Sequence, residues 1–155
     1  CNLSAPIKTR NFPLPIAIQS DFSIFSLMLI RSPAEMIQFG REMSQKATHI
    51  LLYGDLGAGK THFVKWYVQG RGLDDYQVQS PTYTYFHDYE GKILHVDMYR
   101  LEDEQSFIQK GILQQIQDYD IVLIEWPKFT HLFADGYTTI RIDKLSPTER
   151  GVTVS

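Results

Sequence analysis

Cysteine is nearly missing from this chain: among 155 residues, Cys1 alone carries a thiol. No disulfide can close within one copy, and no cysteine cluster can hold a metal. A reducing cytosol is the compartment that fits best. Long hydrophobic runs are missing as well. The nearest candidate, Phe22-Ser23-Ile24-Phe25-Ser26-Leu27-Met28-Leu29-Ile30, falls far short of the ~18 apolar residues that a membrane-spanning helix needs. Lys8 and Arg10 upstream raise the question of a signal peptide, but Asp21 abuts the run and no small-residue cleavage site follows it. A basic excess is absent too. Lys and Arg total 15 against 18 Asp and Glu, a net charge of −3, which argues against a free-standing nucleic-acid binder and against direct DNA binding. What is present, 43% hydrophobic and 21% charged residues, describes an ordinary globular protein with one domain and a real core.

One stretch dominates what is there. Gly54-Asp55-Leu56-Gly57-Ala58-Gly59-Lys60-Thr61 fits G-x-x-x-x-G-K-[ST], the phosphate-binding loop. The apolar run Ile50 to Tyr53 precedes it and a helix over 62–69 is expected to follow, the strand–loop–helix context that the motif requires. Glycines let the backbone turn its N–H groups inward as a ring of donors, and the helix N-terminus adds partial positive charge. Lys60 can then reach the β/γ-phosphates, and Thr61 can offer its hydroxyl to Mg²⁺.

Around this loop the chain reads as alternating strands and helices. Residues 1–23, with Pro6, Pro13 and Pro15, are expected to be an extension without regular structure, and 24–155 one domain. A strand is expected over 24–31, at a sheet edge. Ser32-Pro33-Ala34-Glu35 starts a helix over 33–46, with Ser32 as N-cap, Pro33 at the first position and Glu35 completing a capping box. Its Met36, Phe39 and Met43 stripe reads as core. After the loop, Phe63, Trp66, Tyr67 and Gly70 recur at helical spacing, and Gly70 with Gly72 is expected to end that helix. A short strand over 77–79 is followed by a hairpin: Tyr83, Tyr85 and Tyr89 alternate with polar residues, Glu90-Gly91 turns, and 92–96 returns. A helix near 104–117, a strand over 119–125 buried on both faces, a late strand over 137–142 and a pairing segment over 152–154 complete the order.

Two carboxylates fall at strand ends, where open α/β sheets bind ligands. Asp97 would orient a metal ion; Glu125 could hold a metal-bound water or align a water attacking the γ-phosphate. The bland alternative for each is a carboxylate capping a neighbouring helix. Ser80 and Thr82 either sense the γ-phosphate or make an ordinary turn, and Trp126 either packs beside a nucleotide or fills core. His49, His62, His87, His95 and His131 show no metal-ligand spacing and read as packed or surface residues. A GTPase is disfavoured because no Asn/Thr-Lys-x-Asp motif occurs. A small-molecule kinase lacks the expected arginine-rich insertion, and a nucleotide-sensing module without hydrolysis sits poorly with Glu125.

GDLGAGKT at 54–61, SPTYT at 80–84, HVDMYRL at 95–101 and LIEWP at 123–127, in that order, resemble the TsaE (YjeE) family, the bacterial ATPase of tRNA threonylcarbamoyladenosine biosynthesis. The resemblance covers about residues 24–145. It implies an α/β, P-loop NTPase-like fold of three layers with a mixed, partly antiparallel sheet. It implies ATP and Mg²⁺ as ligands, weak ATPase activity, a TsaB–TsaD heterodimer as partner, tRNA reached only through that complex, and a cytoplasmic location. Carried over by motif, Asp55, Leu56, Gly57, Ala58, Gly59, Lys60, Thr61, His62, Thr82 and Trp126 contact nucleotide. Thr61, Asp97 and Glu125 serve the metal, and Lys60, Asp97 and Glu125 serve catalysis. His62 stands where the family usually has a second threonine, and Met28, just before the family's usual first strand, is the expected natural start.

Overall fold

A computed structural model describes residues 26–73 and 78–155. In chain order the elements are β1 (Ser26–Ile30), α1 (Pro33–Lys46), β2 (His49–Tyr53), α2 (Lys60–Gly70), β3 (Phe86–Tyr89), β4 (Ile93–Asp97), α3 (Glu104–Gln109), α4 (Ile112–Asp118), β5 (Ile121–Glu125), β6 (Thr138–Lys144) and β7 (Arg150–Val154). They form one seven-stranded sheet in the order β1-β7-β6-β2-β5-β4-β3. The middle of the sheet is parallel, β6 to β2, β2 to β5 and β5 to β4. Both flanks are antiparallel: β1 with β7, β7 with β6, and β3 with β4. This is the mixed α/β sheet that the sequence leads one to expect, with β1 at an edge and β7 beside β6.

The central strands are apolar along their whole length because both faces are covered. Ile50 and Leu52 of β2 face α1 and α2, within a core that includes Phe39, Met43, Phe63 and Tyr67. Leu51, Val122 and Ile124 face the opposite way, against Phe107, Ile112 and Ile116 of the α3–α4 pair. The result is three layers. Among the described residues no helix is long and apolar enough to cross a membrane.

Helix α1 starts as its sequence dictates: the Ser32 hydroxyl accepts the Glu35 amide and Pro33 holds the first position. The reciprocal half of the capping box is displaced by one residue, since the Glu35 carboxylate accepts the Arg31 amide at 2.7 Å. Helix α2 runs two residues earlier than expected, to Lys60, because the left-handed Gly59 carbonyl already accepts Phe63 N–H at 2.9 Å. Gly70 is its last residue rather than a terminator beyond it, and the reason for a glycine there is contact with α1. A Cβ on Gly70 would stand 2.3 Å from Ser44 Oγ and 3.0 Å from Arg41 Cα. Gly70→Ala should therefore force α1 and α2 apart, at a cost of about 1–3 kcal/mol, the range typical of overpacking; urea denaturation would read it.

Three expectations are corrected. The helix near 104–117 is two helices, broken at Lys110-Gly111, where Gly111 takes φ +72°. On one straight helix Phe107 and Ile112 would point about 140° apart; the break lets both bury completely in the same core. The strand expected from Tyr83 begins only at Phe86. Residues 82–84 form a turn and Tyr85 has φ +67°, because Thr82 is drawn to Asp97 while the Tyr85 carbonyl accepts the Asp97 amide at 2.8 Å. Of the short strand expected over 77–79, Gln77 lies outside the described residues and Val78 and Gln79 are not in a strand. The extension expected over 1–23 also lies outside them.

Candidate functional site

Everything at the site hangs from the turn that joins β2 to α2. Gly54 leaves the strand at φ +149°, pressed so close to β6 that a Cβ would meet the Ile142 carbonyl oxygen at 2.3 Å. The Asp55 carbonyl then accepts Ala58 N–H at 3.0 Å, closing the loop. Arg150, on β7, braces it from outside by donating through Nε to the Ala58 carbonyl at 2.7 Å. Lys60 is 4% exposed. Its Nζ donates to the Gly54 and Asp55 carbonyls at 2.6 and 3.0 Å and lies 4.2 Å from the centre of the Trp126 ring. Burial lowers the ammonium's pKa below its ordinary 10.5, while Glu125, then Asp97 and Asp55, pull it upward.

Strand register delivers the two carboxylates together. Asp97 and Glu125 are direct partners at the ends of the neighbouring parallel strands β4 and β5, and each is 2% exposed. Their partners differ. Thr61 Oγ1 donates to Glu125, 3.0 Å from Oε1 and 3.3 Å from Oε2. Asp97 instead accepts from the 80–82 segment, through the Ser80 and Thr82 hydroxyls on Oδ2, and from the Tyr99 amide on Oδ1 at 2.8 Å. The Asp97–Tyr99 contact closes a turn, and the Glu125 contacts go to side chains, so neither carboxylate caps a neighbouring helix. Trp126 turns left-handed at φ +53°, half-buried, with its ring 4.9 Å from that of Tyr99.

A cavity of about 390 Å³ brings together Leu56, Gly57, Gly59, Lys60, Thr61, His62, Thr82, Asp97, Glu125 and Trp126, with Ser80, Val78 and Tyr99. Of the residues singled out in the sequence, Asp55 and Ala58 stand apart from this lining. Asp55 contributes its carbonyl to Lys60, and Ala58 is wholly buried behind the loop. A second cavity, about 310 Å³, opens on the other side of the loop. Ile30, Pro33, Met36, Trp66, Pro147 and Arg150 line it, and it shares Gly59 and His62 with the first. Met36, expected as core alone, serves both purposes.

Sequence reasoning missed Arg150, 92 positions from the carbonyl it braces, and it gave His95 no more than a packing role. His95 is indeed fully buried, but its Nε2 lies 2.8 Å from Glu125 Oε1. The signal was available: in His95-Val96-Asp97, period-two alternation puts His95 on the face of Asp97. The remaining histidines behave as expected, His49 packing edge-on to Tyr137 and His131 pairing with Glu104. Among the described residues no group of three or more His, Cys, Asp or Glu is placed to hold a metal on its own.

The family model for the threonylcarbamoyl adenosine biosynthesis protein TsaE matches residues 30–152. Proteins described as tRNA threonylcarbamoyladenosine biosynthesis protein TsaE are similar over much of the same stretch. That of Haemophilus influenzae is 38% identical over 102 residues, 59% of this chain and 64% of that protein. That of Bacillus subtilis is 39% identical over 80 residues, 50% of this chain and 49% of that protein. The chain thus spans about half to two thirds of the length of these two. For the Treponema pallidum protein the match is 32% over 114 residues, covering 72% of this chain and 84% of that one. In three dimensions the crystal structure of Bacillus subtilis YdiB superimposes with a TM-score of 0.59, covering 87% of each chain at 23% identity, a likeness of fold. With its phosphate-binding loop, its in-register carboxylates and a family match over nearly all of the described residues, this chain belongs to the TsaE family of threonylcarbamoyl adenosine biosynthesis proteins.

Proposed function

We propose that this chain binds ATP with Mg²⁺ in the groove beside the phosphate-binding loop and hydrolyses it slowly, in support of tRNA threonylcarbamoyladenosine formation by a TsaB–TsaD heterodimer. The observation that carries this reading is the convergence of Lys60, Thr61 and Glu125, with Asp97 in register, on one cavity. An all-oxygen donor set, one hydroxyl and two carboxylates, suits a hard cation that keeps most of its waters and takes other ligands from phosphate. The residues therefore fit Mg²⁺: Thr61 would hold it, Asp97 would orient it from the 80–82 side, and Glu125, bonded to Thr61, would act through water, aligning the one that attacks the γ-phosphate. Bound there, the ion would offset the negative charge of the phosphates.

The chain's own groups divide the remaining work. Lys60 holds its ammonium on two carbonyls and can exchange them for phosphate oxygens, which are stronger partners for a charged donor. The amides of Gly57 to Thr61 and the start of α2 receive the phosphates. His62 lies where the two cavities meet and can offer a ring N–H to the phosphate nearest the nucleoside, in place of the threonine usual in the family. The base then enters the second cavity, between Pro33, Met36 and Trp66 on one side and Pro147 on the other. Ser80 and Thr82, tethered to Asp97, are placed to register the γ-phosphate and to shift on its loss.

The test is phosphate release from ATP, measured with and without a TsaB–TsaD preparation. A chain that neither binds ATP nor releases phosphate under both conditions would remove the reading; phosphoryl transfer to a small acceptor would replace it with a kinase. Asp97→Asn supplies a finer check. Losing this charge should raise the Mg²⁺ concentration needed for half-maximal rate and slow turnover by about 10–100-fold, while ATP binding without Mg²⁺ changes little. An unchanged Mg²⁺ requirement would assign Asp97 to holding the 80–82 segment alone.

A further inference from the structure

Behind Glu125, away from the groove, stands a row of polar side chains that the hydrolysis reading leaves without a task. His95 Nε2 lies 2.8 Å from Glu125 Oε1, and His95 Nδ1 lies 3.2 Å from the Tyr89 hydroxyl. The Tyr89 and His95 rings are near-parallel, 21° apart with centroids at 6.2 Å. His95 is fully buried and Tyr89 is 4% exposed. Leu94 and Val96, its neighbours on β4, show what this strand uses where only packing is required. Placing an imidazole in the interior costs free energy unless both nitrogens find partners, and here both do.

The direction of this chain of hydrogen bonds follows from the groups. An ionised carboxylate can only accept, so the proton between His95 and Glu125 belongs to Nε2. In the neutral ring Nδ1 is then an acceptor, and the Tyr89 hydroxyl is its donor. Burial, followed by the charge of Glu125, pushes the Tyr89 phenol up to about 12, so this hydroxyl keeps its proton throughout the physiological range. On the carboxylate, His95 and Thr61 converge on Oε1, and among the described residues Oε2 has the longer 3.3 Å contact with Thr61 as its one hydrogen bond.

We propose that His95, itself oriented by Tyr89, is a positioning residue that fixes Glu125 Oε1 and so turns Oε2 toward the nucleotide groove. The proposal rests on the reading that Glu125 serves ATP hydrolysis, and it assigns His95 no contact with nucleotide. A long acidic side chain with several free torsions is thereby held in one orientation at the bottom of the site, where outer partners of this kind are typically worth about 10–100-fold in activity.

The experiment pairs a kinetic cycle with a spectrum. His95→Leu and His95→Gln are made alone and together with Glu125→Gln, and kcat and KM for ATP are measured with the partner proteins present. His95→Leu should lower kcat by about 10–100-fold with KM little changed. His95→Gln, whose amide N–H can stand near the place of Nε2–H, should recover much of the loss. In the Glu125→Gln background the same His95→Leu change should cost little more, because the two residues act as a unit. Separately, the imidazole ¹H–¹⁵N spectrum of the nucleotide-free protein should show His95 protonated at Nε2.

Wild-type kcat in His95→Leu, an equal loss in both backgrounds, or a neutral His95 ring protonated at Nδ1 alone would each overturn the proposal. Wild-type turnover in Glu125→Gln would instead remove the hydrolysis role of Glu125; the tautomer spectrum, which needs no turnover, keeps that outcome distinct. If His95→Leu does not fold, Tyr89→Phe takes its place. It should lower kcat less than His95→Leu is expected to and alter the His95 imidazole signals, and no change in either would overturn the proposal.

Discussion

Lys60→Ala should yield a folded protein in which ATP turnover has fallen by about 10²–10³-fold, the loss typical when one preorganised donor to developing charge is removed. In the free protein the ammonium rests on the Gly54 and Asp55 carbonyls and against the Trp126 face. Those contacts hold it in the groove that it shares with Thr61, Asp97 and Glu125, and among the described residues no other lysine or arginine lines that cavity. Phosphate binding should weaken along with turnover, because the charge acts on the nucleotide before and during reaction.

Stability should also carry a pH dependence set by the burial of this ammonium. Burial lowers the Lys60 pKa below 10.5 in the folded protein. Between that lowered value and 10.5 the unfolded chain binds more protons than the folded one, so wild-type stability gains a contribution that rises with pH through this window. Lys60→Ala lacks it. Thermal melts of the two proteins compared from neutral pH toward pH 10.5 should therefore show wild type gaining on the variant. A variant that melts far lower at neutral pH would mark Lys60 as part of the core. Unchanged turnover in a well-folded variant would remove the assignment of the loop.

Local sequence carried much of this architecture, and the reason is visible in particular residues. The loop, its flanking strand and α2 are contiguous, so their glycines, apolar run and lysine lie within one short window. Asp97 and Glu125 were legible as strand ends because apolar runs stop at them, and the register of β4 on β5 sets them side by side. What stayed hidden depends on contacts between distant segments. Gly111 looked like one small residue inside a helical pattern, and only the demand that both Phe107 and Ile112 face the sheet shows why the helix breaks there. The alternating tyrosines from Tyr83 to Tyr89 imitate a strand, but the pull of Asp97 on Thr82 bends the first half into a turn. Arg150 gave no local sign at all, since its task is to hold the Ala58 carbonyl, 92 positions earlier in the chain. The groove itself was assembled from four separate motifs, whereas the second cavity, built from α1, α2 and the 147–150 segment, has no motif of its own.

Glu125→Gln separates nucleotide binding from turnover. Both neighbours of Oε1, the His95 Nε2–H and the Thr61 hydroxyl, are donors toward it. A glutamine must therefore place its carbonyl oxygen in that position to avoid setting N–H against N–H, and its NH₂ then takes the place of Oε2. The fold should persist, because the retained oxygen keeps the buried contacts while the amide faces the groove. A group that cannot accept a proton now stands where the attacking water would be aligned. Turnover should fall by about 10²–10⁴-fold, the usual cost of losing a general base or water-positioning group. ATP affinity should change far less, since the loop amides and Lys60 supply most of the grip on phosphate. Affinity and rate would be measured across a Mg²⁺ titration with the partner proteins present. Hydrolysis at the wild-type rate would make Glu125 a structural carboxylate that anchors Thr61. Loss of binding and turnover together, relieved by high Mg²⁺, would place it among the groups that hold the metal ion rather than those that align water.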